Sequence, residues 1–287
     1  MSEKISIILP AKNEARSLEK LLPRLREHYP EEEIIVVDDG SDDNTRAICD
    51  SNDVKVVSHP YSMGNGAAIK TGARNAEGSI FLFMDADSQH DPSTIGMLLQ
   101  EIDKGYDMVV GARGFESQAS AGRGFANTFY NWFASKMTGH RIMDLTSGLR
   151  AVRAGKFLEF ISMLPNGFSY PTTITMAFFR SGYSVRYVPV RLNRRIGKSH
   201  INLVRDGIRF LLIIFRIGTL YSPLKLFTPI SAFFLLMGLG HYANTYLTEG
   251  RFTNMSALLL ITSVLVFLIG LVSEQITNLV YLHLNRK

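Results

Sequence analysis

The sequence contains one cysteine, Cys49, and its last quarter holds very few charged residues. A single cysteine excludes a disulfide within the chain, which argues against a disulfide-stapled secreted domain and fits a reducing compartment. The N-terminal stretch MSEKISIILPAKNE lacks the long apolar run of a secretory signal, because Pro10 and charged residues interrupt it. We therefore expect the N-terminal part of the chain to stay in the cytoplasm.

Acidic and basic residues are absent from two apolar stretches, residues 226–246 and 255–273. About 20 apolar residues in a helix cross a hydrocarbon core about 30 Å thick. The pattern predicts a transmembrane helical hairpin over residues 224–287, ending in a short tail. The alternative left open is a buried helical hairpin of a soluble protein.

Lysine and arginine are concentrated on one side of these stretches. Eight of them lie between residues 191 and 225, whereas the link between the two stretches holds only Arg251. The positive-inside bias places both termini and the N-terminal domain on the cytoplasmic side of the membrane. Residues 201–223 mix arginines with an apolar face, which predicts a juxtamembrane amphipathic helix; a domain helix packed on a sheet is the alternative. The basic residues behind the net charge of +5 are thus concentrated beside the predicted membrane segment. This location favours anionic lipid as their partner, and we expect no nucleic acid partner.

The first two hundred residues alternate short apolar strands with helical patterns. Strands are predicted at residues 5–10, 33–37, 54–57, 79–84 and 107–111. Apolar strands separated by helices predict an α/β domain, residues 1–200, with a mostly parallel sheet. Ligands bind such sheets beyond the carboxyl ends of the strands. The polar segments AKNE, DDGSDD and DADSQ follow the first, second and fourth strands at that edge.

The segment GNGAAI, residues 64–69, imitates a dinucleotide-binding fingerprint, since it opens a predicted helix with a G-x-G spacing. However, six residues separate it from the preceding strand, and Ile69 stands where the third glycine belongs. A dehydrogenase is therefore disfavoured.

The segment DADSQHDP, residues 85–92, carries three acidic residues after an apolar strand. Asp85 and Asp87 are expected to point to one side of the extended chain, with Ala86 facing away. Two adjacent carboxylates stay ionised readily when a cation lies between them, and oxygen ligands suit Mg²⁺ or Mn²⁺. Gln89 offers a further oxygen. Asp91 precedes Pro92 and a helical pattern, so it is predicted to be an N-cap. The alternative for the pair is two solvated loop acids.

These segments together resemble glycosyltransferase family 2, whose members have the nucleotide-sugar-binding GT-A fold. The similarity rests on PAKNE, VVDDGSDDNT, GNGAAIKTG, DADSQHDP and VVGAR, in that order along the chain. DLTSGLRAVRA and RIGKSHI are similar to polyprenyl-phosphate glycosyltransferases of the dolichol-phosphate mannose synthase type. The Q-x-x-R-W signature of processive polysaccharide synthases is absent.

The resemblance implies a role for individual residues. Nucleotide-sugar binding is implied for Pro10, Ala11, Asn13, Glu14, Asp39, Gly64, Gly66, Asp85, Ala86 and Arg113. Metal binding is implied for Asp85, Asp87 and Gln89, and catalytic roles for Asp87, Arg113 and Asp144. Contacts to the acceptor or the diphosphate are implied for Ser147, Arg150, Arg195 and Lys198.

Several of these residues have simpler interpretations. Asn13 is also a candidate N-cap, Asp38 a structural partner in its turn, and Lys70 a solvated helix residue. For Arg195 and Lys198 the alternative is simple attraction to the membrane surface. His90 and Glu274 receive no role from the sequence.

The function expected from the resemblance is metal-dependent, inverting transfer of a hexose from a UDP- or GDP-linked sugar to undecaprenyl or dolichyl phosphate in the bilayer. Two alternatives stay open: a metal-dependent nucleotidyltransferase, and a non-catalytic membrane scaffold with a nucleotide-sugar-binding fold. A homo-oligomer is also left open.

Overall fold

The computed structural model describes residues 3–113, 121–167, 169–191, 212, 215–216 and 218–284, with the side chains of 121–127 and 283–284 left out. The chain divides into two compact units, residues 1–213 and 214–287. The predicted amphipathic helix at 201–223 falls largely outside the described residues.

A seven-stranded sheet forms the centre of the first unit. Its strands are β1 (Ile5–Ala11), β2 (Glu33–Asp38), β3 (Lys55–Ser58), β4 (Ile80–Phe83), β5 (Met108–Arg113), β6 (Arg150–Arg153) and β7 (Val185–Val190). They lie in the order β3-β2-β1-β4-β6-β5-β7. Strand β6 runs antiparallel to both of its neighbours, while all other pairs are parallel. The predicted α/β fold with a mostly parallel sheet is confirmed.

The central strands are covered on both faces. Every residue of β4 is buried, as are all of β2 except its first residue. Fully covered parallel strands read as continuous apolar runs, which is why the sequence located them. In the register of the sheet, Ala11 at the end of β1 lies opposite Asp38 at the end of β2. The polar segments that follow the two strands therefore begin side by side.

Helices cover the two faces of the sheet. They are α1 (Ala15–His28), α2 (Thr45–Asp50), α3 (Asn65–Asn75), α4 (Ile95–Asp103), α5 (Ala121–Thr138), α6 (Ala154–Glu159) and α7 (Tyr170–Arg180). The leucines of α1 form its buried face, since Leu18, Leu21, Leu22 and Leu25 are all buried. Short 3₁₀ turns precede α4 at Pro92–Thr94 and lie at Ile161–Met163.

The second unit contains the predicted helical hairpin, formed by α8 (Pro223–Glu249) and α9 (Asn254–Leu284). Both helices are long and apolar enough to cross a membrane. Reciprocal hydrogen bonds join them, since each of Ser231 and Ser263 donates its hydroxyl to the other's carbonyl oxygen at 2.9 Å. Glu274 accepts hydrogen bonds from the Ser222 hydroxyl at 3.0 Å and the Leu224 amide at 3.2 Å. Its carboxylate thus supplies a hydrogen-bond acceptor to a free backbone amide in the first turn of α8, a role the sequence did not reveal.

Candidate active site

The loops after β1 and β2 are tied together at the carboxyl edge of the sheet. Asn13, which adopts a left-handed φ of 57°, donates its amide to the Ser41 hydroxyl at 2.9 Å. Its side-chain oxygen accepts the Asp42 amide at 2.8 Å. The Glu14 amide donates to the Thr45 hydroxyl at 3.1 Å. Asn13 is therefore not the N-cap of α1, a position that Glu14 occupies.

The two aspartates at the end of β2 have different surroundings. Asp38 accepts the Ser41 amide at 3.0 Å, as expected for a structural partner in the turn. Asp39 is 4% exposed and lies in the interior beyond the strand. Its amide donates to the Ala11 carbonyl at 2.8 Å, which draws the loop back over the end of β1; Pro10, just before Ala11, is half-buried.

Four donors surround the Asp39 carboxylate. The amide of Met63 and the ring of His59 reach one oxygen at 2.7 Å, and the hydroxyl of Ser62 and the amide of Gly64 reach the other at 2.8 and 2.9 Å. Burial raises the pKa of Asp39, but these hydrogen bonds outweigh it and hold the pKa below its ordinary value. A carboxylate has about four acceptor positions, and here all are used. Asp39 therefore shapes the loop before α3, and its carboxylate has no free acceptor position for the nucleotide-sugar contact that the resemblance implies in this conformation.

The glycines at the start of α3 accommodate the chain's own backbone. A side-chain carbon at Gly64 would lie 2.5 Å from the Asn166 carbonyl oxygen, and one at Gly66 would collide with the Pro165 carbonyl. Lys70 reaches across to the same segment and donates to the Asn166 side chain at 2.6 Å. Residues 165–167 thus occupy the space beside these glycines where a nucleotide was expected to approach. Lys70 has a structural role, because its hydrogen bond joins α3 to the same segment.

The acidic turn after β4 lies at the same edge. Asp85 and Asp87 are half-buried, and Ala86 between them is 2% exposed and packs into the core. The backbone amide of Gln89 donates to Asp87 Oδ1 at 3.1 Å. A side-chain carbon at Gly148 would lie 2.5 Å from Asp85 Oδ2, so the turn around Gly148 rests directly against this carboxylate.

Oxygen atoms dominate this acidic turn, which fits a hard divalent cation. Among the described residues no group of three or more His, Cys, Asp or Glu side chains converges on one point. A site with two carboxylates would leave the remaining positions to water and a substrate diphosphate, as Mg²⁺ commonly does. The carboxylates of Asp85 and Asp87 are oxygen ligands of the kind such an ion takes, while metal binding by the Gln89 side chain stays a prediction.

Two residues that follow the acidic pair are also positioned by the structure. The Asp91 side chain accepts the Ser93 amide at 3.0 Å, and Pro92 begins the 3₁₀ turn, so the predicted cap is confirmed. His90 is 6% exposed, and its Nδ1 has no hydrogen-bond partner among the residues that the structure describes. Burial lowers the pKa of His90 to about 4, so the imidazole is neutral near pH 7.

Arg113 and Asp144 form a two-pronged ion pair beside this turn. Arg113 donates from Nε to Asp144 Oδ2 at 2.7 Å and from Nη2 to Oδ1 at 2.9 Å. Nη2 also donates to the Thr146 hydroxyl at 2.5 Å. The hydrogen bond to Asp144 raises the pKa of Arg113, and the charge of Asp85 adds to that rise. Arg113 therefore lies within the electrostatic reach of the acidic turn.

The same pairing decides the character of Asp144. The carboxylate is 5% exposed, and although burial raises its pKa, Arg113 more than compensates and the pKa lies below the ordinary value. A general base works best with a pKa near the operating pH. Asp144 is thus placed to hold Arg113 and is poorly suited to removing a proton.

Ser147 and Arg150 lie inside the domain. Ser147 is 1% exposed and donates its hydroxyl to the Gly111 carbonyl at 2.6 Å. Arg150 has no exposed surface; it donates to the Ser147 carbonyl at 2.5 Å and to the Pro171 carbonyl at 3.2 Å. These contacts make both residues supports of the turn that holds Asp85. A bound acceptor would not reach them in this conformation.

The remaining predicted site residues, Arg195 and Lys198, lie outside the described residues. The sequence missed others that the structure brings to the site, namely His59, Thr146, Gly148 and the 165–167 segment. Thr146 and Gly148 had a signal, because both stand within the quoted DLTSGLRAVRA motif.

Comparison with known families identifies both units. Residues 6–159 match Glycosyl transferase family 2, and residues 222–279 match the GtrB C-terminal hairpin. The polyprenol monophosphomannose synthase of Mycolicibacterium smegmatis is 29% identical over 210 residues, which cover 68% of this chain and 79% of that protein. An undecaprenyl-phosphate 4-deoxy-4-formamido-L-arabinose transferase of Pseudomonas fluorescens is 31% identical over 262 residues, covering 82% and 70%. The dolichol-phosphate mannosyltransferase of Pyrococcus furiosus is 33% identical over 181 residues, covering 58% and 50%.

Solved structures confirm the architecture of the first unit. The glucosyl-3-phosphoglycerate synthase of Mycobacterium tuberculosis superposes with a TM-score of 0.62 at 18% identity, over 75% of this chain and 80% of that one. Another crystal structure of that enzyme, with Mn²⁺, uridine diphosphate and glucosyl-3-phosphoglycerate, gives 0.61 at 19% identity, again over 75% and 80%. At this identity the likeness shows the fold alone. Because the family match spans more than half of its length, the chain belongs to glycosyltransferase family 2.

Proposed function

We propose that this glycosyltransferase moves a hexose from a UDP- or GDP-linked sugar to a polyprenyl phosphate in the membrane. One observation carries the proposal: the Asp85–Asp87 turn and the Arg113–Asp144 pair lie at one edge of the sheet. This edge therefore holds carboxylates for a cation and a fixed guanidinium for phosphate. The relatives named for polyprenol, undecaprenyl-phosphate and dolichol-phosphate chemistry support a lipid acceptor, and so does the apolar hairpin.

The donor diphosphate is proposed to bind with Mg²⁺ or Mn²⁺ at Asp85, Asp87 and Gln89. The bound ion would supply charge neutralisation for the departing nucleoside diphosphate. Arg113 is held by two hydrogen bonds to Asp144, so its charge is already oriented when substrate arrives. Preorganised charge of this kind stabilises a transition state without a reorganisation cost.

The acceptor needs little help from a base. The second pKa of a phosphate monoester is about 6, so the attacking phosphate oxygen is already anionic at neutral pH. Direct attack on the anomeric carbon, with loss of the nucleoside diphosphate, inverts that centre. Arg195 and Lys198 are proposed to contact donor diphosphate or acceptor phosphate, and the catalytic unit and both termini are proposed to face the cytoplasm.

The test uses membranes that contain the full chain, a panel of radiolabelled nucleotide sugars and added polyprenyl phosphate. We expect label from one donor to enter the organic phase, and a chelator to abolish this transfer. Release of pyrophosphate instead of nucleoside diphosphate would indicate a nucleotidyltransferase. If no donor is turned over, the remaining alternative is a non-catalytic membrane scaffold.

Asp87→Asn is the decisive variant, because it keeps the size of the side chain and removes its charge. We expect transfer to fall by at least about 100-fold, the scale seen when one preorganised electrostatic group is lost. Asp91→Asn is the matched control on the same turn, because asparagine is as good an N-cap as aspartate, and it should retain near-normal transfer. Near-normal transfer by Asp87→Asn would remove the carboxylate turn from the mechanism.

A further inference from the structure

Strand β6 places a cation wholly inside the catalytic unit, since Arg150 has no exposed surface. Its guanidinium donates to the Ser147 carbonyl at 2.5 Å, the Pro171 carbonyl at 3.2 Å and the Thr175 hydroxyl at 3.4 Å. The centroid of the Tyr170 ring lies 5.7 Å from the guanidinium carbon. All of these partners are neutral, so none of them compensates the positive charge of Arg150.

The position that Arg150 occupies suits an apolar side chain. In the register of the sheet it lies between Phe83 of β4 and Val110 of β5, and both of these are fully buried. A buried charge without a compensating partner is costly, whereas an apolar residue of similar volume avoids that cost. Proteins keep such local conflicts mainly at functional sites. The charge of Arg150 therefore calls for a functional explanation.

Arg150 adjoins the acidic edge of the site through the 147–148 turn. Its partner Ser147 is followed by Gly148, where an added side-chain carbon would lie 2.5 Å from Asp85 Oδ2. Burial lowers the pKa of Arg150, and the charges of Asp144 and Asp85 act against that fall. Arginine stays protonated in proteins, and a buried charge is weakly screened. The field of Arg150 therefore reaches the carboxylate at which the ion and the donor diphosphate are proposed to bind.

The other ionisable groups around Arg150 leave its charge in place. Burial raises the pKa of Tyr170 and the pKa of Tyr187, so both phenols are neutral near pH 7. Asp144 is held by two hydrogen bonds from Arg113. The positive charge of Arg150 is therefore constant under assay conditions, and it acts on the site from inside the domain.

We propose that Arg150 is an internal countercharge for the donor diphosphate, acting through its electric field without touching the substrate. Negative charge grows on the nucleoside diphosphate as it departs, and a positive charge already fixed in the fold stabilises it without reorganisation. Arg113 would act on the same charge from the surface of the site. The inference rests on the proposed function, because the diphosphate is that of the proposed donor.

A role as countercharge and a role as mere support of the turn predict opposite effects on the metal. If Arg150 only supported the 147–148 turn, its loss would misplace Asp85 and weaken the binding of a divalent ion. As a positive charge, Arg150 repels that ion, so its removal strengthens metal binding. The sign of the change in metal affinity therefore separates the two roles.

Arg150→Met removes the charge and keeps a long, unbranched side chain. We expect kcat to fall about tenfold or more and the Kd of UDP or GDP, measured by calorimetry with Mn²⁺ present, to rise about tenfold. The Kd of Mn²⁺ for the nucleotide-free full chain, measured from the electron paramagnetic resonance signal of the free ion, should fall severalfold. Weaker Mn²⁺ binding, or an unchanged affinity for the nucleoside diphosphate, would overturn the proposal.

Two further variants keep the test decisive. Arg150→Gln retains N–H donors for the Ser147 carbonyl without the charge, so it should reproduce the effects of Arg150→Met and decides the matter if the methionine variant does not fold. Wild-type behaviour of Arg150→Gln would contradict a role for the charge. Arg153→Met is the matched control on the same strand, because Arg153 is partly exposed and pairs with Glu3 at 3.0 Å; it should leave all three constants unchanged.

The binding measurements also separate this inference from the proposed function. If the wild type binds UDP or GDP with Mn²⁺ but transfers no sugar to a polyprenyl phosphate, the proposed function fails. The affinities of Arg150→Met and Arg150→Gln for Mn²⁺ and for the nucleoside diphosphate still decide whether Arg150 acts as a countercharge.

Discussion

A single guanidinium occupies both oxygens of the Asp144 carboxylate, and this fixes what Asp144 can do. The two hydrogen bonds, with donor–acceptor distances of 2.7 and 2.9 Å, form a bidentate pair, which fixes the orientation of the guanidinium. The sequence implies a catalytic role for Asp144 but does not separate acceptor orientation from proton removal. Its lowered pKa and its engagement with Arg113 favour orientation, exerted through Arg113.

Asp144→Asn separates these roles. We expect kcat to fall about 100-fold because Arg113 is no longer held in place, while the acidic limb of the kcat/KM profile stays near pH 6. That limb belongs to the second ionisation of the acceptor phosphate, with a pKa of about 6. The measurement is the full pH profile of both proteins. If Asp144 were the base, the variant would instead gain activity about tenfold per pH unit as hydroxide replaced it.

The same pair predicts a pH dependence of stability. The pKa of Asp144 is lower in the folded chain than its unfolded value of about 3.9. Its contribution is therefore complete above about pH 4 and is lost as the pH falls through the folded-state pKa. Chemical denaturation should show wild type more stable than Asp144→Asn at pH 7, with the difference shrinking below about pH 4. A difference that stays constant down to pH 2 would show that the charge of Asp144 does not contribute.

At the scale of elements, the sequence predicted the five strands β1 to β5 and missed β6 and β7. Strands β1, β2, β4 and β5 contain the apolar runs that a covered parallel strand requires, whereas β3 reads KVVS and lies at the edge of the sheet. Strand β6 reads RAVR and buries its first arginine completely, a pattern that hydropathy assigns to a loop. Strand β7 is largely half-exposed, so its alternation is weak.

The candidate site divides in the same way. Asp85 and Asp87 were predictable because their spacing is local and their strand is apolar. The partnership of Arg113 with Asp144 joins residues 31 positions apart, and no local pattern encodes such a contact. Asp39 and Gly66 were placed at the correct edge of the sheet, but the groups that contact them come from the chain itself, from residues 59–64 and 165–167.

The turn around Gly148 offers a prediction at this scale. An added methyl group would lie 2.5 Å from Asp85 Oδ2 and 2.8 Å from its Cγ, so Gly148→Ala must displace the carboxylate. Because the neighbours of metal ligands tune the site, we expect about 10- to 100-fold more Mg²⁺ or Mn²⁺ to be needed for half-maximal transfer. The measurement is a metal titration of initial rate.

Gly155→Ala is the control for that experiment. A methyl group at Gly155 meets no atom within 4 Å, and alanine in a helix stabilises the fold by up to about 1 kcal/mol. We expect an unchanged metal titration and an equal or higher melting temperature. Equal metal requirements in Gly148→Ala and wild type would show that the turn does not position Asp85.

At the scale of the whole molecule, an α/β unit and an apolar hairpin share one chain, and the distribution of charge predicts how the chain is oriented in a membrane. Seven basic residues precede α8 between residues 191 and 222, and Lys225 lies in its first turn, whereas the link between α8 and α9 carries a single basic residue, Arg251. Short loops rich in lysine and arginine stay in the cytoplasm. The link is therefore predicted to lie on the opposite side from both termini.

Cysteine labelling tests this orientation in intact cells. The native Cys49 is buried, and burial raises the pKa of its thiol to about 11; since the thiolate is the reactive form, Cys49 should contribute little background. Glu249→Cys places a thiol at the exposed end of α8, and Lys287→Cys places one at the C-terminus. A membrane-impermeant maleimide should label Glu249→Cys in intact cells and Lys287→Cys only after lysis. The reverse pattern would put the catalytic unit outside the cytoplasm, away from the nucleotide sugars that the proposed reaction consumes.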